Sequence, residues 1–134
     1  MNIKRYLIAS IAVFVAYVVI NFIIHSVILM GTYDSLKGIW RPDMMEKMWV
    51  VWIVNLVFAF LFTYIFTKGY ENKGWLEGIR YGLLIGLLVS GVGAFTQYAV
   101  YPLPLTLVIQ WFVYGLIQIT ICGIVAALIY RPET

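Results

Sequence analysis

Charge is what this sequence has least of. Asp, Glu, Lys and Arg make up 11% of its 134 residues and hydrophobic residues 63%, whereas a soluble domain carries roughly 25% charged residues. So few polar groups cannot coat a water-soluble fold, and a mean hydropathy of +0.95 points to lipid as the solvent. Cysteine is scarcer still. The single Cys122 excludes an intrachain disulfide and a CxxC metal or redox motif. The chain has one histidine, His25. No Ser–His–Asp set, nucleophile elbow, HExxH pair or Walker loop is present, so no enzymatic activity is expected. No pair of carboxylates lies at membrane depth, and every Asp and Glu falls in a loop or at the end of an apolar run. That absence argues against a pump built on a buried carboxylate. The net charge of +3 comes from nine Lys and Arg scattered in ones and twos. They form no phosphate-binding stripe, so nucleic acid is not an expected partner.

What is present is apolar length. A membrane span takes ~20 mostly apolar residues, and four stretches qualify, at about 6–30, 48–67, 76–100 and 105–130. The expectation is an all-α membrane protein, one four-transmembrane-helix bundle covering residues 1–134, with the lipid bilayer as its first partner. Lys4 and Arg5 ahead of the first run imitate a signal peptide. The run is far longer than a signal's ~7–15 apolar residues, however, and ends in no small-x-small site, so it is expected to be retained. Lys4, Arg5, Lys68, Lys73, Arg80 and Arg131 fall on one side of the spans, and Lys37, Arg41 and Lys47 on the other. The excess of positive charge predicts that both termini are cytoplasmic. Tyr and Trp residues near both boundaries suit interfacial anchoring.

Small residues mark the third span. Gly78, Gly82, Gly86, Ser90 and Ala94 recur every four residues, a glycine zipper of the small-xxx-small kind that lets another backbone come close. Gly115, Gly123 and Ala127 answer from the fourth span, and the short "YPLPL" link makes these two spans antiparallel neighbours. The stripe suits tight static packing within the bundle or between protomers, or a rocking interface in a transporter. The second span is large and aromatic, fit to meet lipid or another subunit. Asp43 and Glu46 after "WRP" read as a dipole-matched helix start.

Polar residues inside the spans are few. Tyr17, Asn21 and His25 are spaced by four on the first, and Thr106, Gln110, Tyr114, Gln118 and Cys122 on the fourth. A rise of ~1.5 Å per residue places His25, Asn55, Gln97 and Gln110 in one slab, roughly 6–11 Å deep, with Asn21 and Tyr114 continuing inward. Unpaired polar groups are costly in hydrocarbon, so a cluster of His25, Asn21, Asn55, Gln97, Gln110 and Tyr114 is expected, open or nearly open on the outer side. It reads as interhelical hydrogen bonding that fixes rotation and register before a pocket for a ligand or lipid head group, or a path for a proton or solute. Buried there, His25 is expected to be neutral at pH 7. It has no second strong ligand, and zinc wants four and haem usually an axial pair. No metal and no cofactor are therefore expected.

"KGYENKGWLEGIRYGLLIGLL", "VYPLPLTL" and the "HSVIL…WRP" stretch together resemble a family of small, uncharacterised four-span bacterial integral membrane proteins. The resemblance covers most of the chain. It implies a four-helix fold in the bacterial inner membrane and carries no activity or functional residue with it. Small multidrug transporters are the nearest analogue by size, but their membrane-embedded glutamate in span one is missing here. The expected role is a non-enzymatic membrane protein that forms a homo-oligomer or serves as an accessory subunit of a larger membrane complex. The glycine stripe and the aromatic second span would be its contact surfaces. The alternative is a small-solute transporter or channel-like protein that uses the His25 cluster.

Overall fold

A computed structural model describes residues 1–131 of the chain; the last three positions of the single domain expected from the sequence lie outside the described residues. Among the described residues all regular structure is helical. Four helices are long and apolar enough to cross a membrane: Ile3–Ile28, Met44–Lys68, Trp75–Val100 and Leu105–Ile129, here called spans 1 to 4. They match the four apolar stretches of the sequence to within a few residues. The chain is a multi-pass membrane protein with a helical bundle. Four crossings return the C-terminal end to the side of the N-terminal end, where the Asn2 N–H donates to the Tyr130 hydroxyl at 3.2 Å. This side is called the termini end, and the side of the 31–47 and 101–104 loops the loop end.

The helices begin and stop where local chemistry dictates. Asn2 caps span 1 by accepting the Arg5 N–H at 3.1 Å. Pro104 precedes the first turn of span 4, where a missing N–H costs nothing. Between spans 2 and 3 the chain turns through Asn72 and Gly74, both at positive φ. The turn is held by Glu77, whose carboxylate accepts the Glu71 N–H at 2.6 Å and the Lys73 N–H at 3.0 Å. Glu77 is buried at the start of span 3, and its place there is legitimate because it satisfies two loop donors at once.

Spans 3 and 4 pack closest, and the small residues are the reason. A Cβ on Gly78 would meet the Gly123 backbone, one on Gly82 the Thr120 backbone, and one on Gly86 the Leu116 side chain. Ser90 sits against Gly115. The stripe is therefore spent on span 4 of the same chain. Span 1 packs between spans 2 and 4, so the spans run in the order 2, 1, 4, 3 across the bundle.

The apolar interior is divided. One cluster fills the termini half, with Ala9, Val13, Ala59, Phe62, Phe66, Ile119, Cys122 and Tyr130 among its buried members. The other fills the loop half, with Ile24, Leu29, Ala94, Leu103, Leu107 and Val108. In the termini half, rings run in contact from Tyr130 through Tyr70, Phe66, Tyr81, Phe62 and Phe58 to Tyr17. Tyr6 and Tyr81 donate their hydroxyls to the Phe60 and Phe62 carbonyls of span 2, at 2.9 and 2.5 Å, which ties spans 1 and 3 to it.

Candidate functional site

Two of the spans change their winding where the two cores meet. Span 1 passes from α-helix to a π-helical segment at Ile23–Ile28, and span 3 does the same at Leu87–Gly91. Such i→i+5 segments are rare and concentrate at functional sites. Between them, against span 4, lies a cavity of about 210 Å³. Its polar lining is Tyr17, Asn21 and His25 of span 1, Ser90 and Gln97 of span 3, and Gln118 of span 4. Trp111, Ile24, Ala94 and Ile119 supply apolar walls from both cores.

Part of this lining is already paired. Gln118 is buried, and its Nε2 donates to the Tyr17 carbonyl at 3.0 Å and to Asn21 Oδ1 at 3.1 Å. The bond fixes the Asn21 amide with its oxygen toward Gln118. His25 is fixed from the other side. Its Nδ1 lies 2.5 Å from the Tyr33 hydroxyl, which also accepts the Trp111 Nε1–H at 2.7 Å. Where Tyr33 donates to Nδ1, the ring proton sits on Nε2; the other tautomer donates Nδ1–H to Tyr33 and leaves Nε2 bare. Tyr33 belongs to the short helix Met30–Asp34 beyond span 1, and Trp40 Nε1 donates to its carbonyl at 3.2 Å. Burial pushes the Tyr33 phenol above its ordinary range, with the Trp111 bond pulling partly the other way. The hydroxyl therefore stays protonated at neutral pH.

The cavity has neighbours at the loop end. Gln97 also borders an open hollow of about 590 Å³ beside the Arg41–Asp43 ion pair. His25 and Trp111 also border an apolar pocket of about 390 Å³ against the start of span 2. The His25–Tyr33–Trp111 group is thus a partition between the polar cavity and that pocket. Toward the termini end the ring column from Tyr17 downward fills the bundle. The groups that face the cavity are uncharged donors and acceptors: amides, hydroxyls and an imidazole. Chemically they can bind and orient a small polar molecule, but they offer no activated nucleophile.

The structure brings together His25, Asn21 and Gln97 of the expected cluster, together with Tyr17, Ser90 and Ala94. It does not bring Asn55, Gln110 or Tyr114 to the cavity. Asn55 is buried on span 2, which contributes nothing to the lining. Tyr114 packs against the loop-half core, and Gln110 is half-buried on span 4. The reason is helical drift. A spacing of four overshoots a 3.6-residue turn by ~40° per step, so a stripe from 106 to 122 turns steadily away from its starting face. On span 3 the π-helical segment, with more residues per turn, counters that drift, and Ser90 and Ala94 still face the cavity. Sequence reasoning passed over Tyr33 and Trp111 and left Gln118 out of the cluster. Gln118 was visible as a buried-face amide one turn past Gly115; Tyr33 reads as an ordinary interface ring and carries no local signal. Among the described residues no three His, Cys, Asp or Glu side chains come together to hold a metal. No protein-family model, curated protein or solved structure matches the chain.

Proposed function

We propose that this integral membrane protein is non-enzymatic and takes up a small, uncharged, hydrogen-bonding solute in the cavity between spans 1, 3 and 4, entering from the loop end. Support comes from the lining itself, in which six polar side chains meet at membrane depth in the gap between two apolar cores. Unpaired polar groups are expensive in hydrocarbon, and polar side chains that face a cavity can pair with a solute held there. The paired π-helical segments on opposite walls favour the same view, because each carries residues of the lining, Ile24 and His25 on span 1 and Val89 and Ser90 on span 3. In this proposal Gln97 and His25 meet the solute first, Asn21 and Ser90 orient it, and the Tyr17 level closes the path. The positive charge bias favours termini in the cytoplasm of a bacterial cell and the cavity mouth facing out.

A second role, as an accessory subunit of a larger complex or as a self-associating protein, is favoured by span 2. Trp49, Trp52, Val54 and Leu61 are more than half exposed. The glycine stripe no longer supports that role, since span 4 covers it.

Thiol labelling separates the two. In a Cys122→Ser background, single cysteines replace Ser90, Gln97, Gln118 and, as a dry reference, Asn55. A membrane-impermeant thiol reagent is then applied to each side of sealed vesicles. Positions 97 and 90 are expected to label from the loop side and 118 more slowly, with 55 silent. If 90, 97 and 118 are inert from both sides, the cavity is a structural hydrogen-bond knot and the association role stands.

A further inference from the structure

The pocket on the far side of the His25 partition has a different chemistry. We propose that it is a site for a soft monovalent cation, Cu(I) in biological terms, with the Met44, Met45 and Met48 thioethers and the His25 imidazole as ligands. Three of the chain's five methionines and its only histidine line this one pocket. The 3₁₀ turn Met44–Lys47 that opens span 2 delivers the first two and runs directly into its α-helix, which begins with Met48. Met45 and Met48, three apart across the 3₁₀ turn, eclipse one another.

Core packing does not account for them. A methionine used as filler is buried, yet Met44 is 46% and Met45 76% exposed at the rim of the pocket. The donor set instead selects a metal by softness and charge. Thioethers are soft and neutral and favour Cu(I), whereas Zn(II) prefers thiolates, imidazoles and carboxylates. No thiolate or carboxylate lines this pocket among the described residues, so a divalent ion would be left with its charge uncompensated. A single positive charge is easier to hold, and the Trp40 and Trp111 rings that border the pocket add attraction for a cation. At about 390 Å³ the pocket exceeds one ion, but unbranched methionine side chains have three rotatable bonds with which to close on it.

The Tyr33 hydroxyl completes the arrangement as a positioning group. A metal-bound histidine usually donates its other ring N–H to an outer partner. The Tyr33 oxygen, with two lone pairs, can accept both His25 Nδ1–H and Trp111 Nε1–H. That tautomer leaves Nε2 bare for the cation. No change of oxidation state is involved: Cu(I) is bound and released as Cu(I).

The test uses the full-length protein in mild detergent with Cys122→Ser, which removes the one thiol. Ag(I), a soft monovalent ion stable in air, is the first probe, followed by Cu(I) in competition with a colorimetric Cu(I) chelator. One ion per chain is expected to bind and to quench tryptophan emission, and excess Zn(II) is not expected to displace it. Met44→Leu with Met48→Leu keeps volume closely and is expected to weaken Ag(I) binding by ~100-fold or more, beyond the range typical of losing an outer partner. Tyr33→Phe is expected to weaken it by about 10-fold. Should the double variant fold poorly, Met45→Leu at the exposed rim gives the same comparison with less effect on packing. Absence of Ag(I) binding in the Cys122→Ser protein overturns the proposal. So does undiminished binding in the leucine variants with an unchanged melting temperature.

Discussion

The termini half and the loop half of this bundle are built from the same four helices to opposite ends. In the termini half, glycine brings two backbones into contact, rings fill the remaining space, and Glu77 ties down the connecting turn. In the loop half the same spans part around a cavity, two of them rewind as π-helix, and polar side chains face the gap. A membrane helix gains little from sequestering apolar groups, because lipid is as apolar as the protein interior; close van der Waals contact and hydrogen bonds do the holding. A tight half thus supplies the stability that a loose half gives up, and the proposed function places solute entry in the loose half.

The strongest way to break this contrast is to spoil the tight half. Gly82→Val places a Cβ 2.5 Å from Thr120 Cα and 2.9 Å from the Ile119 carbonyl oxygen, backbone atoms that cannot yield as a flexible side chain does. Overpacking of this kind is expected to cost about 3 kcal/mol or more, read as a large fall in the melting temperature in detergent or as loss of the folded fraction. An unchanged melting temperature would mean that spans 3 and 4 do not pack as described. Glu77→Ala comes next. It removes the carboxylate that accepts the Glu71 and Lys73 N–H groups, at about 1.5–3 kcal/mol for hydrogen bonds to a charged acceptor. Limited proteolysis is expected to cut the 69–74 turn in this variant before any other loop.

Much of the tight half was legible in the sequence, because it rests on short-range regularities. The four-residue stripe and the "YPLPL" link define which spans pair and how closely, and both are local. The four spans were equally plain, since apolar length needs no tertiary information. The loose half was legible only where its polar residues share one helix: Tyr17, Asn21 and His25 are spaced by four and do line one wall. Across helices, a common depth was not enough. Asn55 and Gln110 lie at the right level, but rotation about the helix axis decides what they face, and that rotation is set by packing. The Tyr33 bridge was invisible for a related reason. It depends on a short helix after span 1 folding back so that one hydroxyl meets His25 and Trp111, residues 8 and 78 positions away.

That bridge gives a smaller and more local test. Tyr33→Phe removes the oxygen from both bonds and keeps the ring that packs against Trp40 and Trp111. The expected cost is ~1–2 kcal/mol, the sum of two modest net bonds. The change should appear in tryptophan emission, because Trp111 loses its acceptor. The termini half should not respond, so hydrogen exchange of the Ala59–Phe66 backbone is expected to stay at the parent level. A shift there would show the two halves to be one cooperative unit.

Gly93→Ala is the smallest change and sharpens the comparison most. It is chemically close to the Gly82 substitution and lies eleven residues further along span 3. A Cβ at Gly93, however, meets nothing within 4 Å, and Gly93 is one of the residues that line the cavity. With no clash to pay for, helix propensity decides the sign, and alanine is favoured over glycine by ~0.8–1 kcal/mol in a helix interior. The melting temperature is therefore expected to rise slightly, where Gly82→Val lowers it steeply. The same methyl group takes volume from a cavity of about 210 Å³, so uptake of a solute that fills it should weaken although the protein becomes more stable. A fall in both stability and uptake would mean that Gly93 is packed rather than open. A rise in stability with uptake unchanged would move the solute out of this cavity.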